Sequence, residues 1–145
     1  MILCDRQMTY GTKKVQIPTK IWKIKQKDGT KELLAGCGNW DQVKGFVAWY
    51  ESKALNGEVE GEEPRFLEAP MIAEASFSML NDRGEIWYLS GQGQWVEISE
   101  DHHTMGSGGD FALGALEAGA TEEKALKIAH KYDAHTGHLI TKSKV

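Results

Sequence analysis

Residues 105–137, MGSGGDFALGALEAGATEEKALKIAHKYDAHTG, contain the clearest local structural pattern in the chain. After the glycine-rich start, residues 110–118 predict a first helix, which Gly119 ends. Thr121 is a suitable N-cap for a second helix that continues to about Tyr132, with two glutamates in its first turn. We therefore expect a helical hairpin here.

The residues before this hairpin predict strands. Short apolar and β-branched segments lie at residues 71–80, 85–90 and 94–98. The segments between them, Asn81-Asp82-Arg83-Gly84 and Gly91-Gln92-Gly93, have turn chemistry, so a meander of hairpins is the simplest interpretation. Residues 2–34 also indicate strands, with a turn at 27–30. The tail after His138 is typical of a last edge strand.

A single helix divides these strands. Asn39 is a good N-cap, and the apolar residues that follow have helical spacing: Trp40, Val43, Phe46, Val47 and Tyr50. We expect this helix to end near Gly57, and the acidic stretch Glu58–Pro64 to form a solvated loop. Before the helix, Ala35-Gly36-Cys37-Gly38 predicts a glycine-rich corner.

The predicted order is strands, one helix, strands, two helices and a strand. This order favours a layered α+β fold in which both sheets need helical cover. With 145 residues, 41% of them hydrophobic, the chain is long enough for one compact domain with a continuous core. We therefore expect a single domain over residues 1–145.

Composition excludes several classes of function. A net charge of −4 provides no basic excess for binding nucleic acid. Cys4 and Cys37 are too few for a disulfide framework, which favours a reducing compartment. No apolar run is long enough to span a bilayer, and charged residues follow Met1-Ile2-Leu3 at once. We expect a cytoplasmic protein that binds neither membrane nor nucleic acid.

Three segments resemble those of proteasome β-subunits and of the peptidase of the bacterial two-component ATP-dependent protease, which are N-terminal-nucleophile hydrolases. The first, residues 105–115, is similar to the segment that opens a helix of this family. The second, Tyr132-Asp133-Ala134-His135-Thr136-Gly137, looks like its Asp-Ala-x-Ser-Gly turn. The third, residues 3–9, is similar to its Ala-Ala-Asp-x-x-x-Thr strand end, followed by Thr19-Lys20-Ile21 and residues 34–38.

The resemblance, which covers nearly the whole chain, implies a fold and a partner set. The fold would be a four-layer αββα sandwich with a peptidase or amidase site at one end of the sheets. The protein would be similar to phage and bacterial proteasome-like proteins. It would form a homo-oligomeric ring and act on peptides or unfolded proteins. An ATP-dependent unfoldase would be a further partner.

The resemblance also implies a mechanism. In this family, the hydroxyl of an N-terminal threonine attacks the carbonyl, and its own α-amine is the general base. Lys20 would provide positive charge beside it, and Asp5 would hold the lysine in place. Without the resemblance, Lys20 is one more solvated lysine among several in this part of the chain.

Further roles follow for the glycine corner. Gly36 would expose the backbone N–H that stabilises the oxyanion, and Leu34 and Gly38 would line the substrate pocket. The alternative for Gly36 is a tight turn, and both roles are compatible. Cys37 is interpreted as a buried structural thiol.

Ser107, Asp133 and Thr136 would form a supporting cluster of hydroxyls and a carboxylate, with Thr136 in place of the commoner serine. The alternative is that Ser107 caps the helix and that Asp133 and Thr136 form an ordinary turn. Glycines at 106–109 are also compatible with a phosphate cradle, but the lysine and spacing of a P-loop are absent.

Histidines at 102, 103, 130, 135 and 138 invite a metal interpretation. No cysteine or acidic residue completes a ligand set, so we expect solvent-exposed histidines, no metal and no cofactor.

The expected nucleophile is not in the sequence. In the family it stands about a dozen residues before the aspartate that matches Asp5. Removal of Met1 would expose Ile2, which cannot attack, and a chain beginning at Cys4 would place its thiol too close to Asp5. Three hypotheses follow: a threonine peptidase recorded without its first strand, a catalytically inactive structural or ring-assembly protein, or an amidase acting on small amides.

Overall fold

A computed structural model describes residues 1–58, 72–89 and 95–145. These residues form a mixed α/β structure with three helices and a five-stranded sheet. In chain order the elements are β1 (Ile2–Asp5), β2 (Gln7–Tyr10), β3 (Lys13–Gln16), β4 (Ile21–Lys25), β5 (Lys31–Gly38), α1 (Trp40–Asn56), β6 (Ala75–Asn81), β7 (Ile86–Leu89), β8 (Trp95–Ile98), α2 (Gly109–Glu117), α3 (Glu122–Tyr132) and β9 (Ile140–Ser143).

The chain divides into two compact units. The first unit comprises Met1–Ile21 and Glu100–Lys144, and the second comprises Trp22–Ser99 with Val145. The prediction of one domain over the whole chain stays a prediction.

The first unit combines two small sheets with the helical hairpin. Strand β1 pairs antiparallel with β9, with Asp5 opposite Ile140, and β2 pairs antiparallel with β3. Helices α2 and α3 pack through small side chains: Ala112, Ala115, Ala125 and Ala129. Alanine side chains allow close contact between the helices, and Leu116, Ala120 and Ile128 pack against this cluster.

The second unit contains the five-stranded sheet in the order β4-β5-β6-β7-β8. Strands β5 to β8 are antiparallel neighbours, so the predicted meander is confirmed for the described residues. The turn at residues 81–84 closes with Gly84 at φ 85°, and that at residues 27–30 has Gly29 at φ 93°. Both backbone conformations favour glycine, which explains why the sequence marks these turns.

Helix α1 covers this sheet with an aromatic face. The side chains of Phe46 and Tyr50 are almost fully buried, and the ring centroids of Phe46 and Phe77 lie 4.2 Å apart. Asn39 caps the helix by accepting a hydrogen bond from the N–H of Gln42. Gly57, at φ 72°, ends it. The predicted helix and both of its ends are therefore confirmed.

The predicted helical hairpin is confirmed, with the bounds of both helices within one residue of the prediction. Gly119 follows α2 at φ 87°, and the hydroxyl of Thr121 accepts a hydrogen bond from the N–H of Lys124 at the start of α3. One local expectation is wrong. Residues 35–38 do not form a corner, because β5 continues to Gly38, and the chain turns only there, at φ 104°.

Some expectations lie outside the described residues. They concern most of the acidic loop from Val59 onward, the start of the strand predicted at 71–80, and the turn at 91–93 with its flanking residues. Among the described residues, none of the helices is sufficiently long and apolar to cross a membrane.

Candidate functional site

The predicted site residues divide between the two units. The first unit contains Asp5, Lys20, Ser107, Asp133 and Thr136. The second contains Leu34, Gly36 and Gly38. Each group is described within its own unit, and the assigned roles remain predictions in both.

Asp5 and Lys20 form an ion pair. Asp5 is the last residue of β1, and Lys20 immediately precedes β4. The Lys20 ammonium donates to Asp5 Oδ1 at 3.1 Å and to Oδ2 at 3.0 Å. Each side chain is only 16% exposed, so the pair is screened by water less than a surface ion pair is. This geometry is unlike the alternative of a freely solvated lysine.

Two backbone amides complete the surroundings of the Asp5 carboxylate. Oδ1 accepts hydrogen bonds from the N–H of Gln7 at 2.8 Å and from the N–H of Gly137 at 3.0 Å. Amide and ammonium donors together fix the orientation of the carboxylate. Asp5 is therefore held from both sides, and it in turn holds the cationic end of Lys20 in one place.

Ser107, Asp133 and Thr136 form a second cluster. The hydroxyls of Ser107 and Thr136 both donate to Asp133 Oδ2, each at 2.6 Å. The cap position of α2 is occupied by Gly108, without a side-chain hydrogen bond. The alternative that Ser107 caps this helix is therefore wrong. Residues 133–136 do also make a turn, since the N–H of Thr136 donates to the carbonyl of Asp133.

The acidity of Asp133 reflects these contacts. Partial burial acts to raise the pKa of Asp133, but the hydrogen bonds from Ser107 and Thr136 outweigh it and lower the pKa below its ordinary value. The carboxylate is thus ionised near neutral pH and accepts a hydrogen bond from each hydroxyl. Such a cluster orients two hydroxyl groups whose oxygens remain able to accept a hydrogen bond from a neighbouring group.

Two glycines that the sequence analysis left without a role shape the first unit. A Cβ on Gly108 would lie 2.3 Å from Thr136 Oγ1, so only glycine leaves room for this hydroxyl. A Cβ on Gly137 would lie 2.6 Å from Gln7 Cβ. Both glycines adjoin predicted site residues along the chain. Both also lie within the segments that resemble the proteasome family, residues 105–115 and 132–137, and this is the sequence signal that points to them.

Cys4 adjoins Asp5 but does not have the properties of a reactive thiol. Burial raises the pKa of the Cys4 thiol above its ordinary value, and neighbouring Lys20 and Thr19 only partly offset this effect. A thiol with a raised pKa is protonated near neutral pH and is a poor nucleophile. This state agrees with the interpretation that Cys4 is not the nucleophile.

The three predicted residues of the second unit lie along β5. Gly36 is buried in the strand, and a Cβ there would meet Phe77 at 2.8 Å and Val43 at 2.9 Å. Gly36 is thus required for packing and not for a tight turn. Leu34 is 0% exposed and belongs to the apolar core, whereas Gly38 is exposed and lies close to the backbone of Glu74. Their roles in oxyanion and substrate binding stay predictions.

Two histidines lie near the residues of the first unit described above, and one of them, His135, contacts the Asp133 carboxylate. His130 Nδ1 lies 2.7 Å from the carbonyl oxygen of Thr136, and His135 Nδ1 lies 3.5 Å from the hydroxyl of Thr9. His135 also adjoins Asp133 through its N–H. Within residues 1–58, 72–89 and 95–145, no three histidine, cysteine or acidic side chains are grouped to hold a metal ion.

Comparison with protein-family models gives no match, and comparison with curated proteins gives none. Comparison with solved structures gives several. One is BPH from Thiobacillus denitrificans, solved in complex with epoxomicin. The match covers 96% of this chain and 88% of the BPH chain, with a TM-score of 0.68 and 15% sequence identity. HslV from Trypanosoma brucei matches the same shares, with a TM-score of 0.61 and 21% identity.

A third similar structure is a mutant of Anbu from Hyphomicrobium sp. strain MC1. The match covers 95% of this chain and 73% of the Anbu chain, with a TM-score of 0.71 and 14% sequence identity. These likenesses establish the fold: the chain has the proteasome-like fold of N-terminal-nucleophile hydrolases. At this level of identity they establish the fold alone, so activity has to be argued from the residues.

Proposed function

We propose that this chain is a subunit of a proteasome-like threonine peptidase. The observation that carries the proposal is the pair of charged clusters in the first unit, Asp5 with Lys20 and Asp133 with its two hydroxyls. Both are positions that the family resemblance assigned to peptide-bond hydrolysis. The proteasome-like fold supports the same class of protein.

Each residue has a proposed task. An N-terminal threonine, expected before Asp5, would attack the peptide carbonyl, and its α-amine would accept the hydroxyl proton. Lys20 would provide a fixed positive charge that favours the ionised nucleophile, and Asp5 would keep that charge in place. Ser107, Asp133 and Thr136 would orient the α-amine and relay its proton. Gly36 would offer its N–H to the oxyanion.

The finer features of the family are part of the same proposal. They are a single domain built as a four-layer αββα sandwich, a pocket that includes Leu34 and Gly38, a cytoplasmic location and assembly into homo-oligomers. The proposal includes a reducing compartment, as expected from the low cysteine content of two in 145 residues. The Anbu complex from Pseudomonas aeruginosa forms a helical assembly, which supports self-association. Peptides or unfolded proteins are the proposed substrates, with an ATP-dependent unfoldase as a further partner.

A second candidate is a catalytically inactive assembly protein of the same fold. It is favoured by the same helical assembly and by an exposed aromatic pair on the helical hairpin. The rings of Phe111 and Tyr132 stack there with centroids 5.8 Å apart. Exposed aromatic side chains are enriched at protein interfaces. The amidase hypothesis stays a third candidate, distinguished by activity on small amides.

The test begins with the protein made from its native locus with a C-terminal tag. N-terminal sequencing and intact mass identify the first residue, and fluorogenic peptide amides measure hydrolysis. We expect an N-terminal threonine and hydrolysis that epoxomicin inhibits. Replacing Lys20→Met should lower kcat at least about 100-fold, because the charge beside the nucleophile is lost.

The matched control is Lys23→Met, because Lys23 is an exposed lysine on β4 and has no proposed role. Its activity should equal that of the parent. A mature chain that starts with a residue lacking a nucleophilic side chain, with no hydrolysis of any peptide, would exclude the peptidase and favour the assembly protein. Hydrolysis of small amides but not peptides would favour the amidase.

A further inference from the structure

Gln7 is a buried polar residue to which neither the sequence nor the resemblance assigned a role. It is the first residue of β2, two residues after Asp5, and it is only 6% exposed. Polar side chains at such depth require hydrogen-bond partners, since an unpaired amide would cost free energy. The partners of Gln7 therefore indicate what it does.

Gln7 contacts both halves of the candidate site. Its main-chain N–H donates to Asp5 Oδ1 at 2.8 Å, and its side-chain Nε2 donates to the carbonyl oxygen of Ala134 at 3.1 Å. Ala134 lies in the turn at residues 133–137. One residue thus joins the carboxylate that holds Lys20 to the turn that carries Asp133 and Thr136.

Gly137 closes the same connection from the other side. Its N–H donates to Asp5 Oδ1 at 3.0 Å. A Cβ at this position would lie 2.6 Å from Gln7 Cβ, 3.1 Å from Gln7 N and 3.3 Å from Asp5 Oδ1. The turn therefore packs directly on Gln7, and any side chain larger than that of glycine would separate the turn from Asp5.

The two charged clusters consequently have a common support. Asp5 Oδ1 accepts from residues on both sides of it, Gln7 and Gly137, while Asp133 holds its hydroxyls at the beginning of the same turn. The spacing between the clusters is set by this turn and its contact with Gln7. Hydrolytic sites of this kind depend on positioning to within a fraction of an ångström.

We propose that Gln7 is a positioning residue that, together with Gly137, fixes the Asp5–Lys20 pair relative to the Ser107–Asp133–Thr136 cluster. Its effect on catalysis rests on the proposed peptidase function. Its effect on the geometry does not, so the two are tested separately.

The geometric test uses Gln7→Met, which keeps the length of the side chain and removes the donor to Ala134. Hydrogen exchange, measured residue by residue by NMR, should show the Gly137 amide exchanging about tenfold faster, because it loses its fixed acceptor. The Ala129 amide within α3 should keep its rate within about twofold. The control is Gln16→Met, which changes the exposed strand partner of Gln7.

A second variant covers the case in which Gln7→Met fails to fold. Gly137→Ala introduces the Cβ that would meet Gln7, and it should accelerate exchange of the Gln7 amide without changing that of Ala129. Its control is Gly114→Ala in α2, where a Cβ would meet nothing within 4 Å. Equal acceleration at Ala129 and at the site, or no acceleration at either, would overturn the proposal.

In an active preparation the same variants give a second readout. A positioning residue does not bind substrate, so Gln7→Met should lower kcat about tenfold and leave KM unchanged. A fall in kcat without the local change in hydrogen exchange would overturn the positioning role while leaving the peptidase intact. Local acceleration of exchange in a protein without any hydrolysis would support the geometric role and count against the proposed function.

Discussion

Glu32 and Asp133 are carboxylates with similar partners and opposite acidity. In the second unit, Glu32 accepts hydrogen bonds from Gln26 Nε2 at 2.9 Å and from the Tyr50 hydroxyl at 3.0 Å. In the first unit, Asp133 accepts two hydroxyl hydrogen bonds at 2.6 Å. Yet the pKa of Glu32 is raised above its ordinary value, and that of Asp133 is lowered.

Burial explains the difference. Desolvation is the largest influence on the pKa of Glu32, and its two hydrogen bonds only reduce that effect. Asp133 is less buried, so its hydrogen bonds prevail. The number of partners therefore does not determine whether a carboxylate is ionised. The first unit contains a carboxylate whose pKa is lowered, whereas the second contains a half-buried carboxylate whose pKa is raised.

Removing the Tyr50 hydroxyl should produce the largest effect. Tyr50 is 1% exposed, and burial raises the pKa of its hydroxyl, so it remains a neutral donor to Glu32. In Tyr50→Phe, Glu32 loses the hydrogen bond from the Tyr50 hydroxyl and keeps that from Gln26. We expect a loss of about 1–3 kcal/mol in the free energy of unfolding. Urea titration followed by tryptophan fluorescence measures this, because all five tryptophans lie within residues 22–95.

The control for this prediction is Tyr10→Phe, because Tyr10 is 78% exposed. Its unfolding free energy should stay within about 0.5 kcal/mol of the parent. If Tyr50→Phe changed stability no more than this control, the contact between Tyr50 and Glu32 would contribute little, and the comparison with Asp133 would lose its physical basis.

The second prediction concerns pH, and the two carboxylates should act in opposite directions. Above pH 4.5, the unfolded chain has released a proton that folded Glu32 still binds, so stability decreases as the pH rises through the raised pKa. Glu32→Gln should flatten this decrease. For Asp133 the folded pKa is below 3.8, so its contribution is present above pH 3.8 and lost as the pH falls. Asp133→Asn should flatten that loss.

Urea titrations at a series of pH values measure both slopes. The two substitutions serve as controls for each other, because each should leave the pH range of the other unchanged. Parallel pH profiles for parent and Glu32→Gln above pH 4.5 would show that Glu32 titrates alike in folded and unfolded protein, contrary to the expectation.

The helices could be predicted from the sequence because their determinants are local. Asn39 and Thr121 at the starts, and Gly57 and Gly119 at the ends, act within a few residues of the elements they bound. The corner predicted at 35–38 failed because Gly36 has a tertiary role. Its missing Cβ leaves space for Phe77, which is 41 positions away in the sequence, and no local pattern reports that.

In the candidate site, too, features with a local sequence signal could be predicted, whereas contacts between distant parts of the chain could not. Residues matching family motifs could be named in advance, and the contacts of Asp5 with Lys20 span only 15 positions. The contacts of Gln7 with Ala134, and of Gly137 with Asp5, span 127 and 132 positions. Neither Gln7 nor Glu32 differs in local pattern from a surface strand residue. Their burial depends on packing, which a single sequence does not encode in any short segment.

The smallest expected effect on stability is that of Ser107→Ala. This substitution is informative because it should change the pKa of Asp133. Ser107 is exposed, and Asp133 retains Thr136 as a donor, so the loss should be no more than about 1 kcal/mol. The pKa of Asp133 should nevertheless rise, because the hydrogen bond from Ser107 helps to lower it. Carbon-13 NMR titration of the Asp133 carboxyl measures this, with exposed Ser99→Ala as the control. An unchanged titration would mean that the Ser107 hydroxyl does not contribute to the lowered pKa of Asp133.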